Sequence, residues 1–163
     1  MRKIICFILL ISFAVVCSAC DPQYCYLRLS TEEVVGINLI YYDNETPQRY
    51  RGEEKPFENF DESKVTVLER VSQEQIKEVF AEGIELTYFG DYNASGRYNA
   101  MQGLCIVILL ANEEFIVFNI DGGEALVKFN SENVAVDYMG SAIDYEDFQE
   151  CFSIDLYEKK ESF

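Results

Sequence analysis

The sequence predicts an α+β fold: a single, mainly antiparallel sheet of about five to seven strands, with two helices packed on one face. Three observations predict it. Several short segments alternate apolar and polar residues with period two, as half-buried strands do. Two segments, residues 72–80 and 144–152, instead space their apolar residues three and four apart, as one face of a helix. Between residues 104 and 129 the apolar runs are separated only by short polar turns, which is the pattern of an antiparallel meander.

Taken in order, Val35, Ile37, Leu39 and Tyr41 alternate with Gly36, Asn38 and Ile40 and read as the first strand. Residues 43–64 carry Pro47, Gly52 and Pro56 among Asp, Glu and Asn, and read as a long exposed loop. Arg49, Tyr50 and Arg51, with Tyr41 and Tyr42 close by, give this loop the side-chain types enriched at binding surfaces. Its charge suits a disordered connector better. Residues 65–70 are the second strand.

The clearest local signal follows. Ser72 can cap a helix and Gln75, three residues on, can close a capping box, while Val71 and Ile76 occupy the two positions of a hydrophobic staple. Ile76, Val79 and Phe80 then share one face, and Gly83 suits the left-handed position that ends a helix. Ile84, Leu86 and Tyr88 alternate with Glu85 and Thr87 as a third strand. Residues 104–110 are apolar on both faces, which predicts a central strand covered on both sides. Turns at 112–113 and 121–124 lead into strands 115–120 and 125–129, and residues 134–138 add a further one. Asp144 caps a second helix with Tyr145, Phe148 and Phe152 on one face.

The amino terminus is of another kind. Arg2 and Lys3 precede an apolar run over residues 4–16, and small residues lead to Cys20 and Asp21. This is the basic, apolar, small-residue layout of a secretory signal. The run is shorter than the roughly 20 residues needed to span a bilayer; counting in residues 17–20 brings it near an anchor helix. The spacing of Cys17 and Cys20 also fits a redox pair, but that chemistry needs a helix start inside a fold.

Cys17-Ser18-Ala19-Cys20 resembles the lipobox of bacterial lipoproteins, in which a small residue and Gly or Ala precede an obligatory Cys. The match covers Ser18, Ala19 and Cys20, and Cys17 stands where Leu is usual. The resemblance implies cleavage before Cys20, a lipid on its thiol, and a chain tethered to the extracytoplasmic face of the cell membrane. An ordinary signal peptidase would cut at the same bond. The order of segments is also similar to that of small bacterial lipoproteins: Tyr42-Asp43-Asn44, then Val67-Leu68-Glu69, the Ser72-capped helix, Gly90-Asp91 and the 104–120 hairpin. That resemblance brings no activity with it. The implied organisation is a signal peptide at 1–19, a tether at 20–33, an acidic domain at 34–157 and a frayed tail at 158–163.

Charge and composition narrow the functions. The chain has a net charge of −16, and loss of residues 1–19 leaves eleven basic against 29 acidic side chains, a net −18. Such a balance excludes a nucleic-acid partner, which requires clustered Lys and Arg, and does not favour adhesion to anionic lipid. It fits a basic protein partner or a cation, and solubility and self-repulsion on a cell surface account for it more simply. With no histidine, Ser-His-Asp and Cys-His catalysis and His-ligated zinc are excluded. No phosphate-binding glycine loop is present, so no cofactor and no catalytic residues are assigned. Of the cysteines beyond residue 19, Cys25, Cys105 and Cys151 remain once Cys20 is acylated, enough for at most one disulfide. Cys105 and Cys151 read as small buried hydrophobes.

One run resembles the start of a calcium loop: Asp91, Asn93 and Ser95 alternate ahead of Gly96. Position twelve of such a loop is Gln102, where a bidentate Glu is required, so ordinary turn chemistry is the stronger reading. The sequence therefore points to a membrane-tethered, non-enzymatic interaction module for a basic partner, such as an inhibitor or immunity protein. The alternative is an enzyme or ligand-binding domain, carboxylate-based or calcium-binding.

Overall fold

The computed structural model describes residues 24–43, 49–51, 59–89, 97–99, 102–120, 125–141 and 146–156. In chain order the elements are β1 (Tyr24–Leu29), β2 (Val34–Tyr42), β3 (Arg49–Arg51), a 3-10 turn (Glu62–Lys64), β4 (Val65–Val71), α1 (Gln73–Val79) and β5 (Ile84–Phe89). They continue with β6 (Arg97–Asn99), β7 (Gly103–Leu110), β8 (Phe115–Asn119), β9 (Ala125–Phe129), β10 (Ala135–Ser141) and the single turn α2 (Glu146–Gln149). Six strands form one antiparallel sheet in the order β10-β9-β8-β7-β2-β4. β1 pairs with β5, and β3 with β6, as separate two-stranded ladders.

The core follows from strand periodicity. On β7, Leu104, Ile106, Ile108 and Leu110 join one apolar cluster, and Cys105 and Val107 the other. Because successive side chains point to opposite faces, both faces of this central strand are covered, as its unbroken apolar run predicts. The first cluster is closed by Leu29, Ile84 and Leu86 of the β1–β5 ladder, by Ile76 and Phe80, and by Phe148, Cys151, Phe152 and Leu156. The second holds Ile40, Tyr42, Phe115, Val117, Val127 and Phe129. Bulges interrupt the register of β2 and β4, as others do between β9 and β10. Val35 is the extra residue between Val34 and Gly36 on β2, and Leu68 is the extra residue on β4 opposite Leu39 and Ile40.

The expectation of a sheet with two packed helices is overturned: among the described residues the protein is mostly β, with one helix longer than a single turn. α1 forms as the sequence predicts. Ser72 Oγ accepts from Gln75 N at 3.3 Å, and Gln75 Oε1 accepts from Ser72 N at 3.1 Å. It ends sooner than predicted, with Phe80 as its C-cap, so Gly83 (φ 96°) shapes the turn into β5 rather than the helix end. The second helix shrinks to α2. Its apolar face is real, but the backbone turns early through Phe148 O to Cys151 N and Gln149 O to Phe152 N bonds. Gln149 holds this non-helical exit: Nε2 donates to Ile154 O at 3.0 Å and Oε1 accepts from Leu156 N at 2.8 Å. The chain thereby inserts Cys151, Phe152 and Leu156 into the first cluster, which a continued helix would carry past it.

Two further readings change. Residues 24–29, assigned to the tether, form β1, with half-buried Leu27 and buried Leu29 packed in the first cluster. Within the expected loop, Arg49–Arg51 forms a three-residue strand against Arg97–Asn99, and residues 59–64 form an ordered strap.

Candidate functional site

The two faces of the six-stranded sheet are finished differently. The first is buried by α1, the β1–β5 ladder and the C-terminal segment. The second is crossed, among the described residues, by the strap at 59–64. Asn59 bridges to Val134, Phe60 N donates to Asn133 O at 2.7 Å, and Asp61 N donates to Tyr42 Oη at 3.2 Å. Asp43 N donates to Lys64 O at 2.9 Å, which anchors the far end.

Phe60 is the packing anchor. Its ring centroid lies 5.4 Å from Tyr42, 5.2 Å from Phe115 and 5.6 Å from Phe129. Phe115 and Phe129 stack at 5.0 Å with 9° between planes. Contacts of this kind add about 0.5–1.5 kcal/mol each beyond area burial, so the strap is held by aromatic packing as well as by its backbone bonds.

Between the strap and the β4 side of the sheet lies an open groove of about 470 Å³. Its apolar floor is Ile40, Val65, Val67, Val107 and Leu109, with Phe60 and Phe115 at one wall. Asn38, Glu62, Glu113, Ser131 and Asn133 provide its polar groups, and among the described residues no Lys or Arg lines it. Val67 is 41% exposed although it sits among apolar neighbours.

The acidic rim is built by turns. Asp61 Oδ1 caps the 3-10 turn by accepting from Ser63 N at 3.0 Å and Ser63 Oγ at 2.6 Å. These bonds, the side-chain one foremost, hold the Asp61 carboxyl below its ordinary value. The turn presents Glu62, whose Oε1 accepts from Asn133 Nδ2 at 3.1 Å. Glu113 occupies the β7–β8 turn at φ 66°, a left-handed conformation that Gly and Asn adopt far more readily. Next to it, Glu114 pairs with Lys128 at 2.6 Å and accepts from Asn112 at 2.7 Å, and both bonds lower its carboxyl. Burial raises Tyr42, whose hydroxyl is committed to the strap.

Among the residues whose side chains are described, no hydrogen-bonded nucleophile–base pair lines the groove, no carboxylate is buried and no group of three or more Cys, Asp and Glu can hold a metal ion. What it offers is a shallow apolar surface bounded by negative charge and by amide and hydroxyl groups.

Of the residues singled out from sequence, Cys20, Asp91, Asn93 and Ser95 lie outside the described residues. The backbone of Arg49, Tyr50 and Arg51 is described and their side chains are not; Tyr42 is buried under the strap rather than displayed. Cys105 and Cys151 are thiols on opposite faces of the sheet. Sequence reasoning missed Phe60, Val67 and Glu113. Val67 carried a signal, a β-branched residue in a strand with charged neighbours, but nothing local marked that strand as an edge.

No family model, no curated protein and no solved structure matches this chain. Among the described residues no helix is long and apolar enough to cross a membrane.

Proposed function

We propose that this chain is a lipid-anchored, extracytoplasmic module that binds a basic protein and performs no chemistry of its own, such as an inhibitor or immunity protein. The observation that carries the binding half is the groove: an apolar floor, an acidic rim at Glu62 and Glu113, and, among the described residues, no cation in its lining. The net charge of −16 extends the same complementarity to long range and would speed encounter with a positive partner. Glu113 adds support. Holding a non-glycine residue left-handed costs roughly 1–2 kcal/mol, and strain of this kind concentrates where function retains it. The lipid half rests on Ser18, Ala19 and Cys20 in the sequence.

The volume favours a second reading, since about 470 Å³ lies within the range of small-molecule sites. A carboxylate enzyme, however, needs one carboxyl kept protonated by apolar surroundings, and Glu62 and Glu113 are both exposed.

Photo-crosslinking from the membrane-bound chain tests the proposal. Benzoylphenylalanine at position 67 is expected to capture a basic protein in a salt-sensitive way, and the same probe at position 74, on α1, is not. Capture that is equal from both positions, or a chain that turns over a substrate without capturing protein, counts against it. For the anchor, radiolabelled palmitate should enter the chain and be lost in Cys20→Ala; retained label overturns that assignment.

A further inference from the structure

We infer that the partner docks as an extended strand added to the outer edge of β4, with alternate apolar side chains entering the groove; this rests on reading the groove as the site for a basic protein. β4 is the last strand of the sheet, and among the described residues it pairs only with β2. Its hydrogen-bonding phase is fixed by the Asp43 N to Lys64 O bond. Lys64 therefore faces β2, antiparallel alternation turns Thr66 inward as well, and Val65 and Val67 present their backbone groups outward. The Val65 N–H is taken by Glu62 O. Among the described residues the Val65 carbonyl and both groups of Val67 remain for an incoming strand, and the bulge at Leu68 ends the usable edge.

The same two residues line the groove with their side chains. Directly opposed residues in an antiparallel pair share a face, so partner residues opposite Val65 and Val67 would stand over the apolar floor. Main-chain pairing would supply affinity and the groove selectivity, the usual division of labour in strand addition. The occupant is a short extended segment with apolar residues at every second position and Lys or Arg at the others and at its ends. The intervening cations point to the other face of the sheet, and those at the ends, where the segment leaves the edge, meet the groove carboxylates Glu62, just before the edge, and Glu113. A second copy of this chain is a poor occupant, because each copy carries −16. No Pro or Lys interrupts residues 65–67, although such residues commonly guard exposed edges.

The test uses the full chain in detergent and a seven-residue peptide alternating Lys and Val, read by fluorescence anisotropy. Binding is expected. N-methylation of one alternate set of peptide amides should weaken it at least tenfold and methylation of the other set much less, since only one set faces β4. Val67→Pro, which removes an outward N–H tolerated at an edge, should weaken it similarly, as should Glu62→Lys. Glu74→Lys, the same charge change on α1, should not. Equal binding of both methylated peptides with a retained Glu62→Lys effect overturns strand addition and leaves the groove reading standing. No binding, or equal losses from Glu62→Lys and Glu74→Lys, overturns both. A peptide-free dimer abolished by Val67→Pro overturns the inference in favour of self-pairing.

Discussion

Glu69 on β4 and Ser153 beyond α2, 84 residues apart, are joined by three hydrogen bonds: the carboxylate accepts from Ser153 N at 2.9 and 3.1 Å and from Ser153 Oγ at 2.9 Å. Ile154 N adds a fourth at 3.3 Å. These bonds hold the segment that carries Cys151, Phe152 and Leu156 into the first cluster. Glu69→Ala is expected to cost about 1–3 kcal/mol, the usual range for losing bonds to a charged acceptor. Glu69→Gln, which keeps one acceptor oxygen, should cost less. Urea unfolding measures both, and faster amide exchange at Ser153 and Ile154 would locate the loss.

The Ser72–Gln75 box matters because α1 has only seven residues, and helices this short have little stability of their own in water. Ser72→Ala should cost about 1 kcal/mol. Gln73 Nε2 also donates to Val34 O, so Gln73→Ala should loosen the contact of α1 with β2 without disturbing the cap. Thermal unfolding of the two single variants and the double variant measures their coupling, which adjacent groups fixing the same helix start are expected to show.

Legibility in this chain tracks the range of the interaction. The capping box at Ser72 and the doubly apolar β7 lie within a few residues, and each forms where its local pattern places it; β2 forms too, but Val35, read as the first member of its alternation, is an exposed bulge residue. The second helix failed because its outcome depends on Glu69 and on the side chain of Gln149 turning onto its own exit, which periodicity does not contain. β1 was missed because six residues with alternating Leu and charged or aromatic neighbours become a strand only when β5 supplies the partner. The groove was invisible for the same reason. It joins Ile40, Val67, Leu109 and Glu113 through a sheet order, β4-β2-β7, that no local signal specifies.

Gly83 sits at φ 96°, and a Cβ there would come within 2.8 Å of Leu29 O. That oxygen is backbone in the β1–β5 ladder, so neither side yields easily. Gly83→Ala should therefore destabilise by more than about 1 kcal/mol. A Cβ at Gly36 meets the Leu109 side chain, nearest at Cδ1, 3.3 Å away, so Gly36→Ala should cost less. Midpoints of denaturant unfolding rank the two; equal midpoints would contradict the stated geometry.

Cys151 is buried, and burial, with a smaller contribution from the Glu150 charge, pushes its thiol up to about 11. A protonated, inaccessible thiol is a poor nucleophile. Iodoacetamide at pH 8 should leave Cys105 and Cys151 unmodified in the native chain and alkylate both in guanidinium, as read by peptide mass mapping. The raised value also carries a sign for stability. The unfolded thiol ionises near 9.0 and the folded one near 11, so stability from this group declines as pH rises across that window. Cys151→Ala should remove that alkaline decline, while leaving a small cavity in the first cluster.

The strap should loosen in acid. Asp61 is lowered from 3.8 by its bonds to Ser63, and Glu114 from 4.5 by Lys128 and Asn112. A carboxyl held below its unfolded value contributes stability that is complete above the unfolded value and is lost as pH falls through the folded one. The capped turn that presents Glu62 is therefore intact at neutral pH and weakens below about pH 4. Relief of self-repulsion in so acidic a chain acts in the opposite direction, so the overall melting curve does not isolate the effect. The comparison that does is wild type against Asp61→Asn. The variant removes this titration and keeps an acceptor for Ser63, so the stability difference between the two should be constant above pH 5 and shrink as pH falls below 4. A difference that stays constant down to pH 2.5 would show that Asp61 does not hold the strap through its charge.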